Sequence, residues 1–164
     1  MTKKIIFLFS ITFVILLLDQ WTKIYVHTHF DLHESINVIK GFFDITYVRN
    51  PGAAFGLFGD MPALFRKVFF LSLTPMALVA LGYFLHTVEE EDSLQISAIS
   101  LIFAGAIGNY IDRIRFEYVI DFLDFNLPLY GRYPSFNVAD MAIVVGVFTL
   151  FYCFIMEEKN KKKA

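Results

Sequence analysis

Cysteine is almost absent from this chain of 164 residues, with Cys153 its single example. An internal disulfide and CxxC redox chemistry are therefore excluded, and Cys153, set in an apolar run, reads as a small packing residue. A strong excess of either charge is missing too. The formal net charge is −2, and no basic face stands out in the interior, so nucleic acid is not an expected partner. There is no GxSxG elbow for serine hydrolysis, no HExxH pair and no DxDxDG calcium loop. His27, His29 and His33 lie close together but have no companion cysteine, and they read as loop residues rather than a zinc site.

Apolar residues are abundant instead. They make up 57% of the chain, with 20 phenylalanines, against roughly 45–50% in soluble domains. That excess calls for a lipid solvent. Lys3 and Lys4 precede an apolar run over residues 5–18. The pattern resembles a signal peptide, but no small-residue cleavage site follows it. A retained first span over about 5–26 is the expectation, long enough at ~30 Å to match a hydrocarbon core. Asp19 then falls roughly 21 Å from the start of that span, with Trp21 and Tyr25 suited to an interfacial belt. Further spans are expected at about 64–86, 94–114 and 138–156. Pro75 is expected to kink the second, and the small residues of AGAIG (104–108) let the third approach its neighbours closely.

Between the first two spans, residues 42–48 are β-branched and aromatic and read as a strand. Residues 36–39 are its expected partner across a Lys40–Gly41 turn. A shaped loop, RNPGAAFGLFG (49–59), follows. Residues 87–93 form an acidic connection, 116–136 a second loop, and 157–164 a lysine-rich tail expected to be frayed. Lysines at both ends place both termini in the cytoplasm by the positive-inside rule. The whole reads as one integral membrane domain, 1–164, with a cradle and loop at about 27–63.

This topology gathers polar residues from distant parts of the sequence at one membrane level, just inside the outer face. Asp19 and Lys23 come from the first span, Asn109, Asp112 and Arg113 from the third, Asn137 and Asp140 from the fourth, and Asp121 and Asp124 from the loop between them. Ionisable groups in such positions are costly, and so are functional candidates. Two carboxyls at close range share a proton, one activating water while the other protonates a leaving group. Asp140 is the first candidate, paired with Asp121 or Asp124, between which periodicity does not choose. Plainer readings stand beside these. Asp140 also complements a helix dipole, Asp121 is also a surface loop carboxylate, Asp19 and Lys23 form an ordinary i,i+4 ion pair, Arg113 snorkels beside Asp112, and Asn50 is a turn residue. A cluster of Asp112, Asp121, Asp124 and Asp140 also has the chemistry to take Mg²⁺ or Ca²⁺.

Five motifs occur in order among the spans: LDQWTK (18–23), VRNPGAAFG (48–56), GNYIDR (108–113), VIDF (119–122) and FNVAD (136–140). Together they closely resemble bacterial lipoprotein signal peptidase, the signal peptidase II family. The resemblance implies a membrane all-α fold of four transmembrane helices with a small β element, an extracytoplasmic β-cradle, and a short periplasmic helix, placed at 58–65. It implies an aspartic endopeptidase that removes the signal peptide from diacylglyceryl-modified prolipoproteins just before the lipidated cysteine, without metal or organic cofactor. It selects Asp121 and Asp140 as the catalytic dyad. Asp19, Lys23, Asn50, Gly52, Gly108, Asn109, Arg113, Asn137 and Ala139 become residues that support the dyad or contact ligand. Lipidated prolipoproteins, membrane lipids and globomycin-type inhibitors are the implied partners of a monomer in the cytoplasmic membrane, its site near the extracytoplasmic face. The edge of the small sheet is expected to hold an extended substrate strand. Two rivals differ in class: a proton-coupled transporter, whose site belongs near the bilayer midplane, and a non-catalytic membrane assembly protein.

Overall fold

A computed structural model describes residues 2–53, 57–128 and 131–162. Four long helices frame it: α1 (Lys3–His29), α2 (Ala63–Thr87), α3 (Ser93–Phe116) and α4 (Val138–Lys161). They have 27, 25, 24 and 24 residues, or roughly 36–40 Å at 1.5 Å per residue. All four are long and apolar enough to cross a membrane. Their surfaces agree: Phe13 on α1, Val79 on α2 and Phe148 on α4 are 67%, 74% and 70% exposed, an arrangement suited to lipid rather than water. On α1 the buried residues are Asp19, Lys23 and Val26, so that helix turns charge inward and hydrocarbon outward.

α3 packs against each of the other three helices. The small residues expected to permit this do so. A Cβ on Gly105 would collide with the Ala139 carbonyl, and one on Gly146 would come within 2.7 Å of the Ala98 carbonyl. The α3–α4 contact is thus a backbone-to-backbone approach. At one end of the bundle, Leu85, Val88, Ile96 and Ile99 form an apolar cluster. Near the same end, Lys4 Nζ donates to the His86 carbonyl at 3.0 Å.

At the opposite end lies an antiparallel sheet in the order β1 (Ser35–Ile39), β2 (Phe43–Asn50), β3 (Val119–Leu127) and β4 (Gly131–Arg132). The β1–β2 hairpin follows the sequence expectation, with Gly41 at φ +75° making the turn. β3 does not. Residues 116–136 were expected as loop, yet 119–127 form a central strand registered on β2, with Asp121 opposite Val48 and Asp124 opposite Asp44. Between those pairs β2 carries a bulge, a device that re-aims side chains. Acids spaced by three obscured the alternation of two that marks a strand. Val26, Tyr47, Ile120 and Phe122 form the core that fastens this sheet to α1.

Two further expectations change. No separate helix occupies 58–65: residues 57–60 form a turn, and α2 begins at Ala63 after Pro62. Phe58 at φ +66° breaks helical continuity, and proline is at home at a helix start. The lysine tail is not frayed as far as Lys161, because α4 continues through it; Glu158 and Lys162 pair at 2.7 Å, a spacing that suits a helix. Beside Asp121, β3 is no sheet edge. β2 flanks one side, and on the other the Phe122 and Leu123 amides donate to the Phe136 carbonyl. Within the RNPGAAFGLFG loop, positions 54–56 lie outside the described residues.

Candidate active site

Each helix brings its polar residues to the sheet end for a local reason. Asp19 and Lys23 are one turn apart on α1 and pair at 2.9 Å. Asn109, Asp112 and Arg113 share the last turns of α3 at spacings of three and four. Asn137 caps α4: its side chain accepts from the Asp140 amide while Asp140 accepts from the Asn137 amide, a reciprocal capping box. Asp140 is thereby fixed at the first turn, and the bulged sheet carries Asp121 up to it.

Asparagines hold the two carboxyls on both oxygens. Asn137 Nδ2 donates to Asp121 Oδ1 at 2.7 Å, and Asn50 Nδ2 to Asp121 Oδ2 at 3.0 Å. Asn109 Nδ2 donates to Asp140 Oδ1 at 2.7 Å, and the Asn137 amide to Asp140 Oδ2 at 3.2 Å. Asn137 thus grips both acids, and it is fully buried. Its orientation follows from chemistry, because its oxygen must accept from the Asp140 amide at 2.9 Å and its NH₂ must therefore face Asp121. Among the described residues, no salt bridge reaches either acid. Asp121 is 2% exposed. Burial, and after it the charge of Asp140, raises its pKa to about 7, against the pull of Asn50, Asn137 and Lys23. Asp121 therefore keeps its proton to a higher pH than an ordinary aspartate.

Around this pair the remaining residues have distinct tasks. Lys23 is 1% exposed, and its three N–H donors are all used: Asp19 at 2.9 Å, Asp112 at 3.0 Å and Asn109 Oδ1 at 2.9 Å. Because lysine only donates, it turns the Asn109 oxygen toward itself and the NH₂ toward Asp140. Lys23 is therefore a buried support and offers no surface to a ligand. Gly108 lets α1 approach, since a Cβ there would stand 2.6 Å from Asp19 Oδ2. The buried Ala139 amide donates to Asp19 Oδ1 at 2.9 Å. Arg113 does not pair with Asp112. It donates to the Gly52 carbonyl at 2.9 Å and lies 4.4 Å over the Phe70 ring. Asn50 shapes the turn, accepting from the Gly52 amide at 3.0 Å, and at the same time donates to Asp121.

The four-aspartate cluster separates. Asp112 belongs to Lys23, and Asp124 bonds to Thr46 at 3.0 Å and to Arg132 at 3.4 Å. An odd spacing along a strand parts Asp124 from Asp121 rather than stacking them. His27 is tied to the Tyr47 hydroxyl at 2.6 Å, and His29 stacks on Tyr25. Among the described residues, no three His, Cys, Asp or Glu side chains group as metal ligands. Gln20 was missed as a member of the network, and Asp112, a candidate by its membrane level, was not counted among the supporting residues. Gln20 Nε2 donates to Asp19 and Asp112, both at 3.1 Å. The available signal was a lysine in one span needing more than one buried carboxylate, with GNYIDR supplying a second.

The family described as "Signal peptidase (SPase) II" matches residues 11–156. The lipoprotein signal peptidase of Syntrophus aciditrophicus is 50% identical over 162 residues, covering 97% of this chain and 99% of that protein. That of Geobacter metallireducens is 43% identical over 157 residues, covering 95% of each. Two solved structures, each described as a bacterial membrane enzyme, superpose with TM-scores of 0.86 and 0.81 at 35% identity. They cover 96% and 90% of this chain and 92% and 91% of their own. With the motifs, the fold and the match all extending over nearly its whole length, the chain belongs to the signal peptidase II family.

Proposed function

We propose that this chain is an aspartic endopeptidase that removes the signal peptide from diacylglyceryl-modified prolipoproteins, cutting just before the lipidated cysteine. The observation that carries this reading is the pair Asp121 and Asp140, gripped by one shared asparagine and, among the described residues, free of any salt bridge, with Asp121 pushed up to about 7. Asp140 takes a proton from water as the oxygen attacks the scissile carbonyl. The C–N bond breaks, and Asp121 gives its proton to the leaving nitrogen. The pair ends as it began, with one proton between two carboxyls. Neither a metal nor an organic cofactor takes part in this scheme.

The membrane placement follows from charge. Lys3, Lys4, Lys159, Lys161 and Lys162 flank the helix ends away from the sheet, and such terminal lysines support cytoplasmic termini, with the dyad then at the extracytoplasmic face. A prolipoprotein then presents its scissile bond at that level while its acyl chains stay in the bilayer. Because β3 is covered on both sides at Asp121, the substrate lies over the site rather than extending β3. A globomycin-type inhibitor would occupy the same position, and the residues assigned to the site all come from one chain, which supports a monomer. Acids at one end of the bundle, rather than at mid-span, weigh against a transporter.

A purified cleavage assay tests the reading. Lipidated precursor is cut in excess EDTA, unlipidated precursor is cut poorly, and Asp121→Asn and Asp140→Asn insert but do not cleave. Retained cleavage in Asp140→Asn overturns the dyad, and loss of activity in EDTA assigns the chemistry to a metal.

A further inference from the structure

Asp19, Lys23 and Asp112 form a charged cluster with 0%, 1% and 1% exposure. A buried ion cluster is weak evidence for stability, because desolvation offsets its attraction. Its geometry is more telling. Each carboxylate accepts one bond from a backbone amide of a different element, β3 for Asp112 and α4 for Asp19. Asp112 Oδ2 accepts from the Ile120 amide at 3.1 Å, and Asp19 Oδ1 accepts from the Ala139 amide at 2.9 Å. Ile120 immediately precedes Asp121, and Ala139 immediately precedes Asp140. The second of these amides is among the unpaired N–H groups at a helix start, so α1 supplies part of the cap of α4. Lys23 bonds to both carboxylates, and Gln20 bridges them at 3.1 Å each.

We infer that Asp112 is a positioning residue for Asp121, and that Lys23 ties it to Asp19, which positions Asp140 in the same way. This rests on the proposed Asp121–Asp140 dyad. The cluster sets the separation of the two acids by holding the backbone one residue before each. It sits below the acids with no exposed surface, so it touches neither substrate nor water. A displacement of an ångström at either acid is enough to lower turnover strongly, which explains why three buried charges are retained where apolar packing would be cheaper.

Among the described residues, the charges acting on Asp121 are those of Asp140 on α4, Lys23 on α1 and Arg113 on α3, and Asp112 pairs with Lys23 at 3.0 Å. Removing the Asp112 charge leaves that surrounding more positive, which favours ionised Asp121. The alkaline limb of the pH–rate profile then moves to lower pH. A residue that served folding alone would change the amount of active enzyme and leave the limb in place.

The test compares steady-state cleavage of a lipidated precursor by the purified full chain. Asp112→Ala is expected to lower kcat by about 100-fold with KM changed less than about threefold. Asp112→Asn, which keeps an oxygen for the Ile120 amide, is expected to recover at least about tenfold of that loss, with its alkaline limb displaced to lower pH. Wild-type kcat in Asp112→Ala, or a loss that matches the unfolded fraction with the limb unmoved, overturns the inference. If neither Asp112 variant folds, Gln20→Met decides. It removes the bridge between the carboxylates while leaving Lys23, so a lower kcat at constant KM supports positioning and an unchanged kcat overturns it. Asp121→Asn and Asp140→Asn in the same assay separate the two proposals: wild-type activity in either refutes the dyad itself, whereas strongly impaired dyad variants beside a normal Asp112→Ala refute only the positioning.

Discussion

The two ends of the helical bundle are built on opposite principles. Away from the sheet, the core is Leu85, Val88, Ile96 and Ile99, and the Glu158–Lys162 pair is left exposed. At the sheet end an apolar core of Val26, Tyr47, Ile120 and Phe122 is joined by buried Asp19, Lys23, Asp112, Asp121 and Asn137, while Trp21 and Tyr25 are exposed. Burying apolar surface stabilises, and burying charge costs several kcal/mol per ion before compensation. The sheet end therefore accepts a cost that the other end avoids. What it gains is a set of directional bonds that fixes two carboxyl groups.

Replacing an acid of the pair breaks this contrast most severely. Asp121→Asn is expected to lower cleavage by about 10²–10⁴-fold, the usual worth of a general acid or base, while making the fold more stable near neutral pH. The sign follows from the raised pKa. The folded chain holds the Asp121 proton more tightly than the unfolded chain between the ordinary 3.8 and about 7, so that stabilising contribution is full below this window and lost as pH rises through it. The variant lacks this loss. Its melting temperature should overtake that of the wild type as pH is raised from 4 to 8, and a gap independent of pH would refute the assignment.

Next in size is Gly108→Ala, which places a methyl 2.6 Å from Asp19 Oδ2 and 3.1 Å from the Ala139 Cβ. Overpacking of this kind costs about 1–3 kcal/mol, and turnover should fall with it. Arg113→Lys sharpens the contrast from the loop side. It gives up the planar contact with Phe70 and the fixed reach to the Gly52 carbonyl. About tenfold lower kcat/KM is expected, carried mainly by KM if the 49–53 segment meets substrate. The smallest effect belongs to the other end. Lys162→Met removes an exposed pair of the kind worth about 0–1 kcal/mol, and both melting temperature and turnover should stay at wild-type values.

Much of this arrangement was legible in the chain itself. The four spans follow from apolar length, and the β1–β2 hairpin from its β-branched run and turn. β3 was hidden because Asp121 and Asp124 interrupt its alternation, and a strand completed by a partner 70 residues away leaves little local trace. Asp112 was read as the neighbour of Arg113, although the fold turns the two side chains to different partners. The helix expected at 58–65 gave way to a turn because Phe58 takes a left-handed conformation, which no local pattern announces.

By itself, the sequence determined the solvent, the number of spans and the level at which polar groups collect, because hydrophobic length and charge act locally and additively. Family resemblance singled out Asp121. Tertiary structure alone decided which donors hold it, that Asp124 faces Thr46 and Arg132, and that Lys23 serves two carboxylates from α1 and α3. Those outcomes depend on hydrogen-bond directions across four separate elements, and such directions exist only once the elements are packed.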